Sequence, residues 1–342
     1  MLEKPAIPED ELRACLQNTY DFSVLMLDFL PLGLDVNAGV YRLTEKHGIS
    51  YLLKAKRGLF YEPSGLVPRY LRDQGIVSVV APIPTKQNKL WTQIGEWAVS
   101  LYPFIDGDTG WDMTDKNWRD LGTVFKRIHE TALPPAGFPS LKKETLNPTG
   151  YIDWLSTFEA QHVYSEGNNA TKRTLLSCWR TNQSRIHKIV HLIEELAHLL
   201  QEQTEPEVIC HADLHPGNIL RDSADNIFVI DWDDVMLASK ERDFIFVDAT
   251  KAEQELSPFF QGYGETKIHW SALTYYRCER VVQDMIVCTQ EVFFRDDLEE
   301  ETKIVSARLF EDIFTEGNEV DAAFAVAAHV PSNLISHDRN VS

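Results

Sequence analysis

The chain has 342 residues, 44% hydrophobic and 25% charged, with 33 Lys and Arg against 52 Asp and Glu, a formal net charge of −19. That length allows two domains with substantial cores, and the acidity excludes nucleic acid as a partner, because its phosphates need Lys and Arg for neutralisation. Such a field attracts a cationic small molecule at long range; plain solubility is the bland alternative.

The N-terminus is acidic (Glu3, Glu9, Asp10, Glu11) and has no apolar core of a secretion signal. Residues 8–20 predict a helix with Leu12, Cys15 and Leu16 on one face. Strands are expected over 22–30, 40–44 and 49–54, with a turn across 31–39 whose Gly33 and Gly39 would let backbone N–H groups approach a phosphate. The apolar run 22–34 is broken by Asp28, Pro31 and Gly33, so it does not read as a membrane span. A loosely helical piece ends near Gly75, and two more strands cover 89–94 and 97–102.

Beyond Pro103 the pattern turns helical. Residues 114–131 place Trp118, Leu121, Phe125 and Ile128 at helical spacing. A Pro/Gly-rich link spans 134–148, and helices are expected over 151–164, 174–203, 242–249, 253–263, 269–294 and 298–328. The acidic run 296–301 reads as a helix start that complements the macrodipole. Trp111, Trp118 and Trp154 read as packing residues. The division drawn from this pattern is a sheet-rich lobe over 1–102, a helical lobe over 103–330 and a flexible tail over 331–342.

Short strands and loops at 208–238 carry the chemistry. His211, Asp213, His215 and Asn218 are followed by the β-type run 226–230 and then Asp231, Trp232, Asp233 and Asp234. Phosphoryl transfer from a nucleoside triphosphate needs such groups: one carboxylate to aim an acceptor hydroxyl, and an amide plus a carboxylate to hold magnesium on the phosphates. Asp213 is the candidate catalytic base, and Asn218 and Asp231 are the candidate metal ligands; the alternative for each is an ordinary turn or strand-end residue. His211 and His215 suggest a metal pair at helical spacing, but Pro216-Gly217 argues for a loop, in which His211 is expected to brace by hydrogen bonding.

Lys54, at the end of a β-run, would bridge the α- and β-phosphates, with Lys56 and Arg57 as competitors. Its nearest carboxylate is Glu62, although Pro63, Gly65 and Pro68 spoil a regular helix there. Asp233, Asp234 and Glu241 either pair with ammonium groups of a substrate or form a solvated acidic loop. Cys15, Cys178, Cys210, Cys278 and Cys288 are scattered with no CxxC pair, which argues against disulfides or zinc and fits a cytoplasmic protein.

Together, residues 211–218 and 230–233 resemble the aminoglycoside phosphotransferase (antibiotic kinase) family. Residues 230–243, 101–105, 128–131 and 275–280 are similar to its spectinomycin branch. The resemblance implies an α+β, two-lobed protein-kinase-like fold, with a small antiparallel-sheet lobe, a large helical lobe and the nucleotide in the cleft between them. It also implies ATP and Mg2+ as cofactors, and O-phosphorylation of a cationic aminocyclitol such as spectinomycin, giving resistance. By position, Asp213 becomes the catalytic residue, Asn218 and Asp231 the metal ligands, and Lys54 the phosphate lysine. Tyr102, Phe104, Ile105 and Ile230 are carried over as nucleotide contacts.

The chain has Asp-Trp-Asp where protein kinases carry Asp-Phe-Gly, and it lacks their His-Arg-Asp arginine, both of which point away from a phosphorylation-switched protein kinase. Other readings are a housekeeping kinase for choline, methylthioribose, homoserine or a fructosamine, and a catalytically idle nucleotide sensor. A monomer or a homodimer, bound neither to nucleic acid nor to a membrane, is expected.

Overall fold

The computed structural model describes residues 4–33, 35–203, 206–247 and 257–331. The expected tail beyond 331, Leu34 in the first turn, and the adjoining parts of the predicted helices 242–249 and 253–263 lie outside the described residues. The chain forms two compact units. The first comprises Met1–Lys143, Val208–Leu237 and Glu253–Glu265, and the second Glu144–Glu207, Ala238–Ala252 and Thr266–Ser342. Residues 103–143 and 208–237, grouped with the helices on composition, fall in the same compact unit as the sheet.

In the first unit, five strands form an antiparallel sheet in the order β1-β2-β3-β5-β4: β1 Val24–Leu30, β2 Ala38–Glu45, β3 Ser50–Arg57, β4 Thr92–Ile94 and β5 Trp97–Pro103. Alternation along β3 does two jobs. Leu53 and Ala55 are fully buried in the core, while Lys54 and Lys56 project from the opposite face. Helix α1 (Glu9–Tyr20) adds Leu12, Leu16 and Tyr20 to that core, beside Tyr41, Leu43, Val99 and Leu101.

Gly39 has a packing reason for being glycine. A Cβ there would collide with the Pro5 ring and come within 3.5 Å of Phe29, so the missing side chain makes room for the N-terminal segment. Helix α2 (Pro63–Asp73) forms despite its prolines, which corrects the expectation of a spoiled helix. Pro63 occupies the first turn, where its missing N–H would have had no helical partner. The Glu62 carbonyl accepts from Gly65 and Leu66, both at 3.0 Å, and buried Pro68 and Leu71 fix the helix by packing.

Helix α3 (Asp115–Glu130) begins with a reciprocal cap between Thr114 and Asn117 and buries Leu121, Phe125 and Ile128. It packs on α6 (Pro258–Tyr263) through two glycines: a Cβ on Gly122 would strike the Phe259 carbonyl, and one on Gly262 the Arg119 carbonyl. Strands β6 (Gly107–Thr109), β9 (Ile219–Asp222) and β10 (Ile227–Val229) form one small sheet in the order β10-β9-β6. Strands β7 (Lys142–Lys143), β8 (Val208–Cys210) and β11 (Met236–Ala238) form another in the order β7-β11-β8.

The second unit is helical: α4 (Thr149–Phe158), α5 (Ala170–Gln201), α7 (Trp270–Phe294), α8 (Glu300–Asp312) and α9 (Glu319–Ala327). The single helix predicted over 298–328 is in fact two, because Gly317 adopts φ 78° and turns the chain between α8 and α9. Residues Lys240–Phe244 form a short 3-10 turn where a longer helix was expected. There the buried Arg242 guanidinium makes a very close ion pair with Glu279 of α7 and lies 5.2 Å from the Tyr276 ring centroid. Burial works against the charge on Arg242, and the Glu279 carboxylate outweighs it, raising the guanidinium above its ordinary range. No described helix is long and apolar enough to cross a membrane.

Candidate active site

The central motif is a self-bracing loop within the first unit. It leaves β8 at His211, which is fully buried, and passes through Ala212 at φ 69° before reaching Asp213. A non-glycine residue in the left-handed region costs about 1 kcal/mol and survives only where its surroundings impose it. Here they do. His211 Nε2 lies 2.9 Å from the Ile230 carbonyl, which can only accept, so this nitrogen carries the proton. Its Nδ1 accepts from the Asp213 N–H at 3.3 Å. The ring also packs edge-on to Trp232, with centroids 4.7 Å apart. His211 therefore ties Asp213 to the strand end that carries Asp231.

His215 starts a one-turn 3-10 helix, Pro216–Asn218, by accepting the Gly217 N–H on Nδ1 at 3.0 Å. That turn delivers Asn218, whose side chain is buried and whose Nδ2 donates to the Asp213 carbonyl at 2.9 Å and to Asp213 Oδ2 at 3.0 Å. The Asn218 carbonyl in turn accepts from the Ile230 N–H at 3.0 Å. Asp213, Asn218 and the residue before Asp231 are thus joined by consecutive hydrogen bonds. Ile230, carried over as a nucleotide contact, is half-buried and supplies both backbone groups to this bracing.

Strand β10 is itself anchored, since Val229 receives from Val80 at 3.0 Å and donates to Ser78 at 2.8 Å. Beyond it Asp231 adopts φ 58°, a second left-handed non-glycine residue within the motif. This bend presents the carboxylates of Asp231 itself and of Asp233 to β3. Lys54 Nζ lies 2.7 Å from Asp231 Oδ1 and 2.9 Å from Asp233 Oδ2. Lys56 Nζ lies 2.6 Å from the same Asp233 oxygen and 3.1 Å from Asp35 Oδ2 in the β1–β2 loop.

Burial disfavours the Lys54 charge, but the Asp231 and Asp233 carboxylates outweigh it and hold the ammonium above its ordinary range. Burial acts on Asp233 in the opposite direction from its two lysines, whose ammonium groups prevail and pull it down to about 2. Asp234 reaches solvent, yet crowding by protein and then the Asp213 carboxylate raise its pKa. His215 Nε2 stands 3.6 Å from Asp213 Oδ2.

Not every expected residue joins this group. Glu62 is exposed and heads α2, and its side chain lines a cavity of about 620 Å3 with Asn18, Leu66, Thr85, Lys89 and Trp91. The carboxylates on Lys54 are Asp231 and Asp233, because they reach β3 directly from the end of the β9–β10 hairpin. Glu241, expected to face a substrate, is buried at 1% exposure in the second unit, where its carboxylate accepts from the His269 N–H at 3.0 Å and meets Lys240 Nζ at 3.0 Å.

Tyr102, Phe104 and Ile105 are half-buried at and just beyond the end of β5, with the Arg42 guanidinium 4.5 Å from the Phe104 ring centroid. Burial pushes the Tyr102 phenol above its ordinary range. Asp35 was not anticipated, and Lys56 was considered only as a rival to Lys54. The period of two along a strand is the signal that could have paired both lysines on one face.

The donor set suits a hard divalent cation. Asn218 has committed its amide nitrogen to Asp213, which leaves Oδ1 as its available ligand atom, and Asp231 engages Lys54 through Oδ1 alone. These are oxygen donors, as magnesium requires, with no sulfur or imidazole among them.

A family model described as "Phosphotransferase enzyme family" matches residues 28–276. The chain is similar to spectinomycin phosphotransferase, APH(9)-Ia, in complex with ADP and spectinomycin: 31% identity, TM-score 0.83, covering 95% of this chain and 99% of that one. The AMP-bound complex of the same enzyme aligns with 30% identity and TM-score 0.77, over 93% and 99%. The amicoumacin kinase hAmiN, in complex with AMP-PNP, Ca2+ and Ami, shares the fold at 18% identity and TM-score 0.57, over 92% and 95%. A comparison with curated proteins gives no match.

Proposed function

From the premise that the chain belongs to the phosphotransferase enzyme family and is an ATP-dependent phosphotransferase, we propose that it phosphorylates a hydroxyl of a cationic aminocyclitol, with spectinomycin as the substrate, and so confers resistance in the cytoplasm. The observation that supports this reading is the hydrogen-bonded trio of Asp213, Asn218 and Ile230, which holds the Asp213 carboxylate against the Asn218 amide and ties both to the residue before Asp231. The 31% identity to a spectinomycin-bound kinase supports the choice of substrate.

In this mechanism, Asp213 accepts a hydrogen bond from the acceptor hydroxyl and takes its proton as the new O–P bond forms and the β–γ bridging bond of ATP breaks. The transition state is loose, so aiming the hydroxyl matters more than basicity, and Asn218 does that aiming by fixing Asp213 Oδ2. Asn218 Oδ1 and Asp231 would hold magnesium, which neutralises the charge on the phosphates. Lys54 meets the α- and β-phosphates, and Tyr102, Phe104, Ile105 and Ile230 border the nucleotide. Asp234 stands ready for a substrate ammonium: it already suffers from the Asp213 carboxylate, so a cation between the two relieves that repulsion.

The test measures ADP release with spectinomycin, with other aminoglycosides, and with choline, methylthioribose, homoserine and fructosamine. Turnover of spectinomycin well above the rest supports the proposal, and turnover confined to a metabolite overturns it. Asp213→Ala should cost several orders of magnitude in rate while leaving ADP affinity nearly unchanged.

A further inference from the structure

Two residues apart on one face of β3, Lys54 and Lys56 meet two residues apart on the motif's tail, Asp231 and Asp233. The Asp233 Oδ2 atom bridges both ammonium groups, and Asp35 closes the far end on Lys56. The result is one alternating chain of charge: Asp35, Lys56, Asp233, Lys54, Asp231. Asp35 is fixed in its own right, because its Oδ1 accepts the Asn37 N–H at 2.9 Å and its carbonyl accepts the Ala38 N–H at 3.0 Å. Through Lys56 the β1–β2 loop is therefore tied to the segment that carries the metal ligand.

When a polyphosphate takes Lys54, Asp233 loses one of its two cations. Without the other it would stand as a bare carboxylate beside the incoming phosphates, and it would compete with them for Lys54. We propose that Lys56 is a positioning residue for nucleotide binding: it keeps Asp233 neutralised so that Lys54 can be released to the phosphates, and it holds the β1–β2 loop through Asp35. This assignment rests on the phosphotransferase reading of the site. It differs from the alternative weighed for the sequence, in which Lys56 contacts phosphate itself, because Lys56 acts here only through two carboxylates.

Calorimetric titration of ADP with magnesium into the wild type, Lys56→Met, Asp233→Asn and the double variant tests it. Lys56→Met should weaken ADP about tenfold, as expected for one uncompensated charge near a partly buried site, and adding Asp233→Asn should restore affinity to within about threefold of wild type. A double variant as weak as Lys56→Met overturns the proposal, since the deficit would then not run through Asp233. So does an unchanged Lys56→Met.

Hydrogen exchange in the peptide covering 35–39 gives a second reading. It should quicken in Lys56→Met and in Asp35→Asn alike, and an unchanged rate in both removes the loop-holding role. If Lys56→Met does not fold, as judged by its thermal transition, Lys56→Gln replaces it with the same expected outcomes. A wild type that fails to bind ADP at all would instead defeat the functional reading, so the two failures are distinguishable.

Discussion

Replacing Asn218 tests the core of the site, because one side chain is asked both to hold Asp213 and to offer a metal ligand. In Asn218→Ala the Asp213 carbonyl loses a neutral hydrogen bond and Asp213 Oδ2 loses a charge-assisted one. Such bonds contribute about 1 and about 2 kcal/mol net. Partial rehydration of Asp213, whose side chain is 21% exposed, returns some of this, leaving a net loss of about 2 kcal/mol. For a chain of this size that lowers Tm by about 3 °C.

The second role needs a second assay: ADP affinity with and without magnesium. Loss of a ligand should weaken the magnesium-dependent part by about ten- to a hundredfold and leave metal-free binding nearly untouched. Asn218→Asp separates the roles further, since it restores an oxygen ligand but removes the donor and sets a carboxylate beside Asp213. It should recover metal affinity while becoming less stable at pH 8 than at pH 5. An Asn218→Ala protein that melts with the wild type would refute the bracing argument; equal losses with and without magnesium would refute the ligand argument.

Three further changes address the framework. Glu279→Gln removes the paired counter-charge of the buried Arg242, leaving only the more remote Glu144, and should destabilise the second unit by about 3 kcal/mol in urea denaturation; a loss under 1 kcal/mol would show that the pair is dispensable. Gly262→Ala drives a methyl group into the Arg119 carbonyl across the α3–α6 contact and should cost about 3 kcal/mol, whereas Gly150→Ala, with nothing near its Cβ, should be nearly neutral by the same assay. Glu319 is pushed up to about 8 by burial and then by Asp284, and one of its oxygens is buried without a hydrogen-bond partner. A raised carboxyl is protonated in the fold, so stability falls as pH rises from the ordinary carboxylate range through about 8. Glu319→Gln should match the wild type at pH 5 and exceed it by about 2 kcal/mol at pH 9, and parallel pH profiles would sink this idea.

Residues whose placement depends on near neighbours in sequence were the legible ones. Asp213 and Asn218 sit in a single loop closed by its own hydrogen bonds, and the strand leading to Asp231 shows in its β-branched residues. The strands of the first unit's main sheet and the helices α1 and α3 followed from local apolar patterning for the same reason, whereas their antiparallel pairing came only with the family resemblance. Long-range choices were not legible. Glu62 was favoured for Lys54 because it is close along the chain, but Asp231 and Asp233 arrive from a hairpin far away in sequence. Charge and position drew Glu241 toward the substrate, and only the fold shows the His269 N–H and Lys240 that already use it. Pro63 and Pro68 argued against a helix on local grounds, and burial of one helix face overrode them.

The acidity of the whole chain reappears at the site and constrains what can enter. Lys54 and Lys56 face Asp35, Asp231 and Asp233, with Asp213 and Asp234 close to one another beside them. Two ammonium groups against five carboxylates leave this site formally anionic before any ligand arrives. A nucleotide polyphosphate brings still more negative charge and can settle only if cations come with it. On the proposed function, a divalent ion on Asn218 and Asp231 would supply part of that compensation, and an acceptor carrying ammonium groups would supply the rest near Asp213 and Asp234. The same arithmetic explains why a neutral or anionic acceptor should be a poor substrate even when its hydroxyl fits. Each substrate should therefore tighten the other: cationic acceptor and ADP with magnesium should bind with positive coupling that fades as salt screens the site. Independent binding at low ionic strength would mean that the excess of carboxylates has no part in substrate choice.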